Sequence, residues 1–396
     1  MKHFAPIDIL LPNDTVDHSK WAVIACDQHT SEGDYWRAVE NTVQNAPSTL
    51  SMILPEYYLG KNDSERIEAI NQAMREYLDS GIFKTLPNAY IYVERTLASG
   101  KLRRGIVGGL DLEAYDFKKN AQTPVRASEA TVTERIPPRV RIRENAPLES
   151  PHVMLLADDF DKTVIEPLSA RKSCFTLLYD FDLMLGGGHL TGYLVDQDSV
   201  GEIDRALDAL CEKNPFLFAV GDGNHSLATA KTCYEKAPSE QTRYALCELV
   251  NIHDEALVFE PIYRVLFGAD PEDVIRALKD ALPITDGETH TFTVCYGGKK
   301  KTLTVGKNSV LAVSDLQNVL DAYLKTHPEI EIDYIHGEAE TDALAKKENC
   351  IAFFFDGMKK EDLFPAVAKD GALVRKTFSM GDAADKRYYM ECRRIR

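Results

Sequence analysis

The stretch "FAVGDGNHSLATAK", residues 218–231, passes from an apolar run through a polar corner into an alanine-rich segment. The corner gathers Asp222, Asn224, His225 and Ser226 around two glycines, Gly221 and Gly223. A helix N-terminus carries N–H groups without intrahelical partners at its positive dipole end, so a strand-to-helix corner is a ready phosphate site. Glycine there permits a tight turn and close ligand approach. His225 could donate to a phosphate oxygen or exchange a proton near neutral pH. Asp222 could hold a Mg²⁺-bound water or accept a proton from a substrate hydroxyl. The same residues also suit a plain connection in which Asp222 or Asn224 caps the helix, worth about 1 kcal/mol. Local pattern leaves these two readings level.

A helix dipole contributes about 0.3–2 kcal/mol, whereas micromolar nucleotide binding needs roughly 8 kcal/mol. Cations must therefore come from elsewhere. Residues 125–143, "VRASEATVTERIPPRVRIR", hold five arginines against two glutamates in a chain of net charge −16. If "RVRIR" is a strand, Arg139, Arg141 and Arg143 emerge from one face, as a polyphosphate would need. Pairing with the chain's own carboxylates is the plainer outcome. Arg126 could hold an anion and Glu129 could act as a general base; a local salt bridge is their ordinary use. Lys376, in "LVRKTFSMG", is a further cation. In "CDQHTSEGDYW", Asp27, His29 and Glu32 could serve chemistry, but capping by Thr30 or Ser31 is the simpler expectation. Asp158 and Asp159 end an apolar run and rank lower.

Several chemistries lack their motifs. There is no Walker P-loop, no GxGxxG fingerprint, no HExxH pair and no GxSxG elbow. The eight cysteines form no CxxC pair, so no metal site is expected and a reducing, cytoplasmic setting is. The acidic balance disfavours nucleic acid as a partner. No run reaches the roughly 18 apolar residues of a membrane span. A local basic site could still bind a small anion, and a homo-oligomer is left open.

Around the corner, apolar runs alternate with helical patterns, which predicts a mixed α/β or α+β fold. "KWAVIAC", "AYIYVERTL", "RRGIVGGLDLEAY" and "PHVMLLADD" are expected strands. Residues 63–80 and 201–213 carry helical periodicity. The acidic segment after Gly268 marks the expected boundary, with a larger domain over 1–268 and a smaller C-terminal α/β domain over 269–396.

These segments together resemble an uncharacterised bacterial family, the domain-of-unknown-function 1015 family, with a ParB/sulfiredoxin-like core. Its turn corresponds to Asp222-Gly223-Asn224-His225-Ser226. "RRGIVGGLDLEAYD", "RASEATV", "PHVMLLADD", "RYALCELVNIHDEAL", "FEPIYR" and "RKTFSMG" extend the likeness along most of the chain. Sulfiredoxins carry a reactive cysteine where Asn224 stands, so that chemistry is not implied. Free-serine kinases of the superfamily share the Asp-Gly-x-His turn and use an upstream glutamate as base, a position matched here by Glu129. The resemblance thus implies a nucleotide-dependent phosphotransferase acting on a small hydroxylated metabolite. Its nucleotide would be ATP, ADP or CTP with Mg²⁺. Glu129, Asp222 and His225 would be catalytic. Gly221, Gly223, Asn224, Ser226, Arg126 and Lys376 would hold phosphate. A non-catalytic nucleotide or metabolite sensor and a ParB-like, DNA-associated CTP switch are the alternatives. The family's arginine after the histidine is Ser226 here, so Arg126, Lys231 or Lys376 would have to replace its charge. Tyr263 likewise stands where relatives carry histidine.

Overall fold

Strand Phe218–Asp222 and helix Asn224–Lys236 lie where the apolar run and the alanine-rich segment predict them. The computed structural model describes residues 2–285 and 287–396, and among them the fold is mixed α/β, with twelve α-helices and several sheets. Among the described residues no helix is long and apolar enough to cross a membrane. The chain divides into two units. The first comprises Met1–Ala127, Thr131–Leu257 and Gly381–Arg396; the second comprises Ser128–Ala130 and Val258–Met380. The chain thus changes unit at 257/258 rather than at the expected 268/269, and its last residues return to the first unit.

The first unit is built on a ten-stranded mixed sheet. Two of the expected strands, Ile91–Thr96 and Leu102–Asp111, pair antiparallel. Alternation shows in the packing: Ile91 and Val93 enter one apolar cluster and Tyr92 the other. Both faces of that strand are therefore covered. Further along the sheet, Met154–Ala157 runs parallel to Tyr244–Asn251 and antiparallel to Phe218–Asp222, with Met154 opposite Asp222. This register sets the residues just before Met154 beside the polar corner.

"RVRIR" is not a strand. Residues Ile136–Arg143 form a helix, with prolines in its first turn, where a missing N–H costs nothing and the fixed φ suits the helix. Ile136 and Val140, one turn apart, bury against Ala228 of helix Asn224–Lys236. The single cationic face dissolves with the strand: Arg139 pairs with Glu56, Arg143 with Glu149 and Arg141 with Asp63. The capping expectation for Thr30 and Ser31 also fails. The N-cap of helix Gly33–Val43 is Glu32, with no side-chain cap bond.

In the second unit a six-stranded sheet carries helices Pro271–Ala281 and Ala312–Thr326. Its strands Thr289–Tyr296 and Lys299–Gly306 pair antiparallel. Segment 128–130 joins this unit through the bridge between Glu129 and Leu373.

Candidate functional site

The corner resolves into a strand, one left-handed residue and a helix. Gly223 occupies the N-cap with φ 78° and ψ 25°, a conformation that glycine adopts without a Cβ penalty. A Cβ there would lie 3.0 Å from the Val153 Cα, a backbone atom that cannot swing aside. No side chain caps the helix. Asp222 turns its Oδ1 to the Gly223 N–H at 2.9 Å, so it steadies the turn and leaves the first-turn N–H groups of the helix uncapped. Asn224 Oδ1 is buried without a hydrogen-bond partner. A half-turn of that amide would place an N–H at the same point.

His225 Nε2 accepts the Val132 N–H at 3.3 Å, which leaves Nδ1 to carry the hydrogen. Burial, with Arg139 and Arg135 nearby, pushes its pKa down to about 4. The ring is therefore a neutral donor near neutral pH and adds no cation to the site. Arg135 is exposed on the segment leading into helix Ile136–Arg143, so it supplies positive charge beside the turn.

A second group of side chains flanks the corner. Lys386 Nζ lies 3.5 Å from Asp222 Oδ2. His152 is buried, with Nδ1 2.8 Å from the Tyr389 hydroxyl and Nε2 3.3 Å from Asp27 Oδ2. The Tyr389 hydroxyl also accepts the Cys26 N–H at 3.1 Å. Asp27, Asp222 and Arg387 are the charges that act on His152: burial and Arg387 lower its pKa, and the two carboxylates raise it to a net upward shift. The charge of His152, a hydrogen bond from Gln28 and the cation Lys386 hold the Asp27 carboxyl well below the ordinary range despite burial.

These directions fix a stability prediction. A histidine whose folded pKa is raised contributes stability that is complete below its unfolded value, about 6.5. It loses that contribution as pH rises through the folded value. The depressed Asp27 contributes above its unfolded value, about 3.9, and loses it as pH falls. Urea unfolding at pH 5, 6.5 and 8 is expected to show the stability gap between wild type and Asp27→Asn narrowing from pH 6.5 to 8. Equal gaps at all three pH values would show that the pair is not linked. His225, whose lowered pKa acts in the opposite sense, is present in both proteins, and Asp27 is the weakest of the charges acting on it.

The sequence-derived site residues fall into two sets. Gly221, Asp222, Gly223, Asn224, His225 and Ser226 form the corner of the first unit. Gly221 packs against Leu156, whose Cγ would lie 2.7 Å from an added Cβ. Arg126 shares that unit but points elsewhere: its Nε donates to Thr123 O at 2.9 Å and its guanidinium stacks 4.5 Å from the Phe216 ring. Phe216 precedes strand Phe218–Asp222, at the opposite end from Gly223. Lys231 donates to Leu112 O at 2.9 Å rather than to the corner.

Glu129 and Lys376 belong to the second unit. Glu129 Oε1 and Oε2 accept the N–H groups of Thr377 at 3.1 Å and Lys376 at 3.3 Å. Burial raises the carboxyl's pKa against those two bonds. Lys376 itself has φ 57°.

Sequence reasoning passed over His152, Tyr389, Lys386 and Arg135. A usable signal existed for His152 alone, since it precedes "VMLLA", the strand adjacent to the corner. Among the described residues no group of three or more His, Cys, Asp or Glu side chains converges as a protein-held metal site would. The positive charge facing Asp222 is Lys386.

No curated protein matches the chain. Among solved structures it is similar to a conserved hypothetical protein from Pyrococcus furiosus, at 12% identity and TM-score 0.40, over 74% of this chain and 95% of that one. It is also similar to a free serine kinase in complex with AMP, at 12% identity and TM-score 0.42, over 74% of this chain and 92% of that one. A mutant free serine kinase in complex with ADP gives 10% identity and TM-score 0.42, over 74% and 93% of the two chains. Residues 9–323, most of the chain, match the family described as "Protein of unknown function (DUF1015)", and the chain belongs to that family.

Proposed function

We propose that the protein is a nucleotide-dependent phosphotransferase acting on a small hydroxylated metabolite, with the 222–226 corner as its phosphate-binding element. The observation that carries this reading is the uncapped helix N-terminus behind a left-handed Gly223. A plain connection would satisfy those N–H groups with the neighbouring Asp or Asn side chain, whereas here Asp222 bonds to Gly223 and the Asn224 Oδ1 has no partner. Phosphate oxygens are the acceptors such a turn fits.

A bound nucleoside di- or triphosphate would supply the phosphoryl group. The chain's part is to hold and neutralise it. N–H groups of the first helical turn and the neutral His225 Nδ1–H would donate to phosphate oxygens, and Arg135 would balance their charge. Lys386 orients Asp222 toward the corner. The resemblance gives the role of base to Glu129, and burial raises the proton affinity of its carboxylate, as that role requires. Asp222, the carboxylate at the corner, already faces Lys386, so Mg²⁺ would arrive held by the nucleotide phosphates rather than by the chain.

Isothermal titration of the full chain with ATP, ADP and CTP, with and without Mg²⁺, tests the reading. Binding of at least one nucleotide is expected in the micromolar range, about −8 kcal/mol. Arg135→Ala should weaken it about tenfold, the scale of one charged hydrogen bond. Absence of binding by all three overturns the proposal. Binding without nucleotide consumption across a panel of hydroxylated metabolites favours the sensor instead.

A further inference from the structure

Arg264, on strand Phe259–Phe267 of the second unit, is fully buried. Among the described residues its N–H groups donate only to neutral oxygens. Nε donates to Gln317 Oε1 at 2.9 Å, Nη1 to Ile262 O and, at 2.9 Å, to Lys376 O, and Nη2 to Arg375 O at 3.1 Å. The Tyr334 and Phe355 rings lie 5.1 and 5.8 Å from the guanidinium. A buried cation with no carboxylate bonded to it is costly. Burial pushes its pKa down to about 10, and Tyr334, Glu129 and Asp321 act against that shift from farther away.

Two of the accepting carbonyls belong to peptide units whose opposite ends hold Glu129. A trans peptide is planar and points its C=O and N–H in opposite directions. The unit joining Arg375 to Lys376 receives Nη2 at its oxygen and gives its N–H to Glu129 Oε2 at 3.3 Å. The unit joining Lys376 to Thr377 receives Nη1 at its oxygen and gives its N–H to Glu129 Oε1 at 3.1 Å. Lys376, left-handed at φ 57°, lets the two successive N–H groups converge on one carboxylate. The arrangement is a two-pronged ion pair transmitted through two peptide groups. Each peptide turns its negative end to the guanidinium and its positive end to the carboxylate, so the bonds of each chain polarise one another. Main-chain bonds pin the carrier of the carboxylate as well: Leu373 N donates to Ser128 O and Ala130 N to Leu373 O, each at 2.8 Å.

We propose that Arg264 is the positioning residue of Glu129, setting the direction of its carboxylate through the peptide units 375–376 and 376–377. Each carboxylate oxygen keeps a lone pair for a further donor, so the group is held without being used up. Burial raises the carboxyl's pKa, whereas the two N–H bonds, Lys376 and Arg264 lower it. Arg264 thus favours the ionised form, the one able to take a proton from a hydroxyl. That the carboxylate serves as a base rests on the phosphotransferase reading; the relay from Arg264 to Glu129 does not.

Amide NMR of the full chain, titrated across the carboxylate range from about pH 4 to 8, tests it. The Lys376 and Thr377 amide protons are expected to shift with one shared midpoint, absent in Glu129→Gln. The Arg264 Nη–H signals of wild type should move at that same midpoint. This movement too should vanish in Glu129→Gln, where Asp321, another carboxylate acting on Arg264, is still present. An arginine with a merely structural role would not respond. Arg264→Gln should raise the midpoint by about one pH unit, a tenfold change in proton affinity. Arg264→Lys, which keeps the charge but cannot fork to both carbonyls, should raise it less. Amide protons that do not titrate, or Arg264 signals that stay fixed while the amides move, overturn the proposal. These wild-type results decide even if the Arg264 variants fail to fold. An unchanged midpoint in folded Arg264→Gln also overturns it. Nucleotide titration decides the other reading separately. A working relay without nucleotide binding upholds the positioning role and removes the phosphotransferase; nucleotide binding with fixed Arg264 signals does the reverse.

Discussion

Arg387→Met is expected to cost the first unit about 3–5 kcal/mol of stability, the scale set by removing one partner of a buried ion pair. Arg387 is 5% exposed and donates to Glu248 at 2.8 Å, to Glu391 at 2.6 Å and to Pro151 O at 2.7 Å. Each glutamate has a further partner: Arg103 lies 3.6 Å from Glu248, and the Tyr179 hydroxyl donates to Glu391. Gly105 makes room for the group, since a Cβ there would sit 2.7 Å from Glu248 Oε1. Methionine keeps much of the arginine's volume but leaves two carboxylates in an apolar interior with too little positive charge. Chemical denaturation should show the loss as a lower midpoint with an unchanged slope. The triple variant Arg387→Met, Glu248→Gln, Glu391→Gln should recover a large part of it, because the uncompensated charges are gone. A single variant as stable as wild type would mean that water reaches the cluster. Tyr389 and Lys386 flank Arg387 in the chain, so loosening this anchor should also weaken ligand binding at the corner.

That anchor marks what a single sequence conceals. The corner was legible because everything that shapes it is local: an apolar run, two glycines and a helical pattern within fourteen residues. The sequence left open whether a side chain caps the helix, and the geometry of Asp222 answers it. "RVRIR" misled because three arginines alternating with Val and Ile carry the period of a strand. The competing helical signal, Ile136 and Val140 behind a pair of prolines, was short enough to be missed. Asp27 looked like part of a capping loop because its partner, His152, is distant in the chain and no local pattern joins the two. The return of 381–396 to the first unit depends on strand Tyr388–Tyr389 pairing with Val23–Ile24 and strand Arg393–Arg394 with Leu148–Glu149. Such pairings of chain ends leave no local periodicity. Glu129 belongs to a three-residue excursion into the second unit, too short to alter composition on either side.

Gly223→Val should abolish nucleotide binding, lowering affinity by at least about a hundredfold, while Gly221→Ala should largely spare it. Valine at φ 78° pays about 1–2 kcal/mol for the left-handed conformation, and its Cβ would meet the Val153 backbone at 3.0 Å. The backbone must then leave the conformation that directs the helix N–H groups outward, and the added side chain obstructs whatever approaches them. Gly221 has no positive φ in the structure, and an added Cβ there meets the Leu156 side chain, with Cγ at 2.7 Å and Cδ1 at 2.9 Å. That is core overpacking, about 1–3 kcal/mol of stability, with the turn itself retained. Both variants are therefore destabilised, and they are opposed in their effect on the site. Thermal melts alongside nucleotide titrations separate these effects: both variants should melt earlier, and only Gly223→Val should lose the ligand. If Gly223→Val bound nucleotide as tightly as wild type, the corner would be a connection after all. If both variants lost binding equally, the loss would report stability rather than the turn.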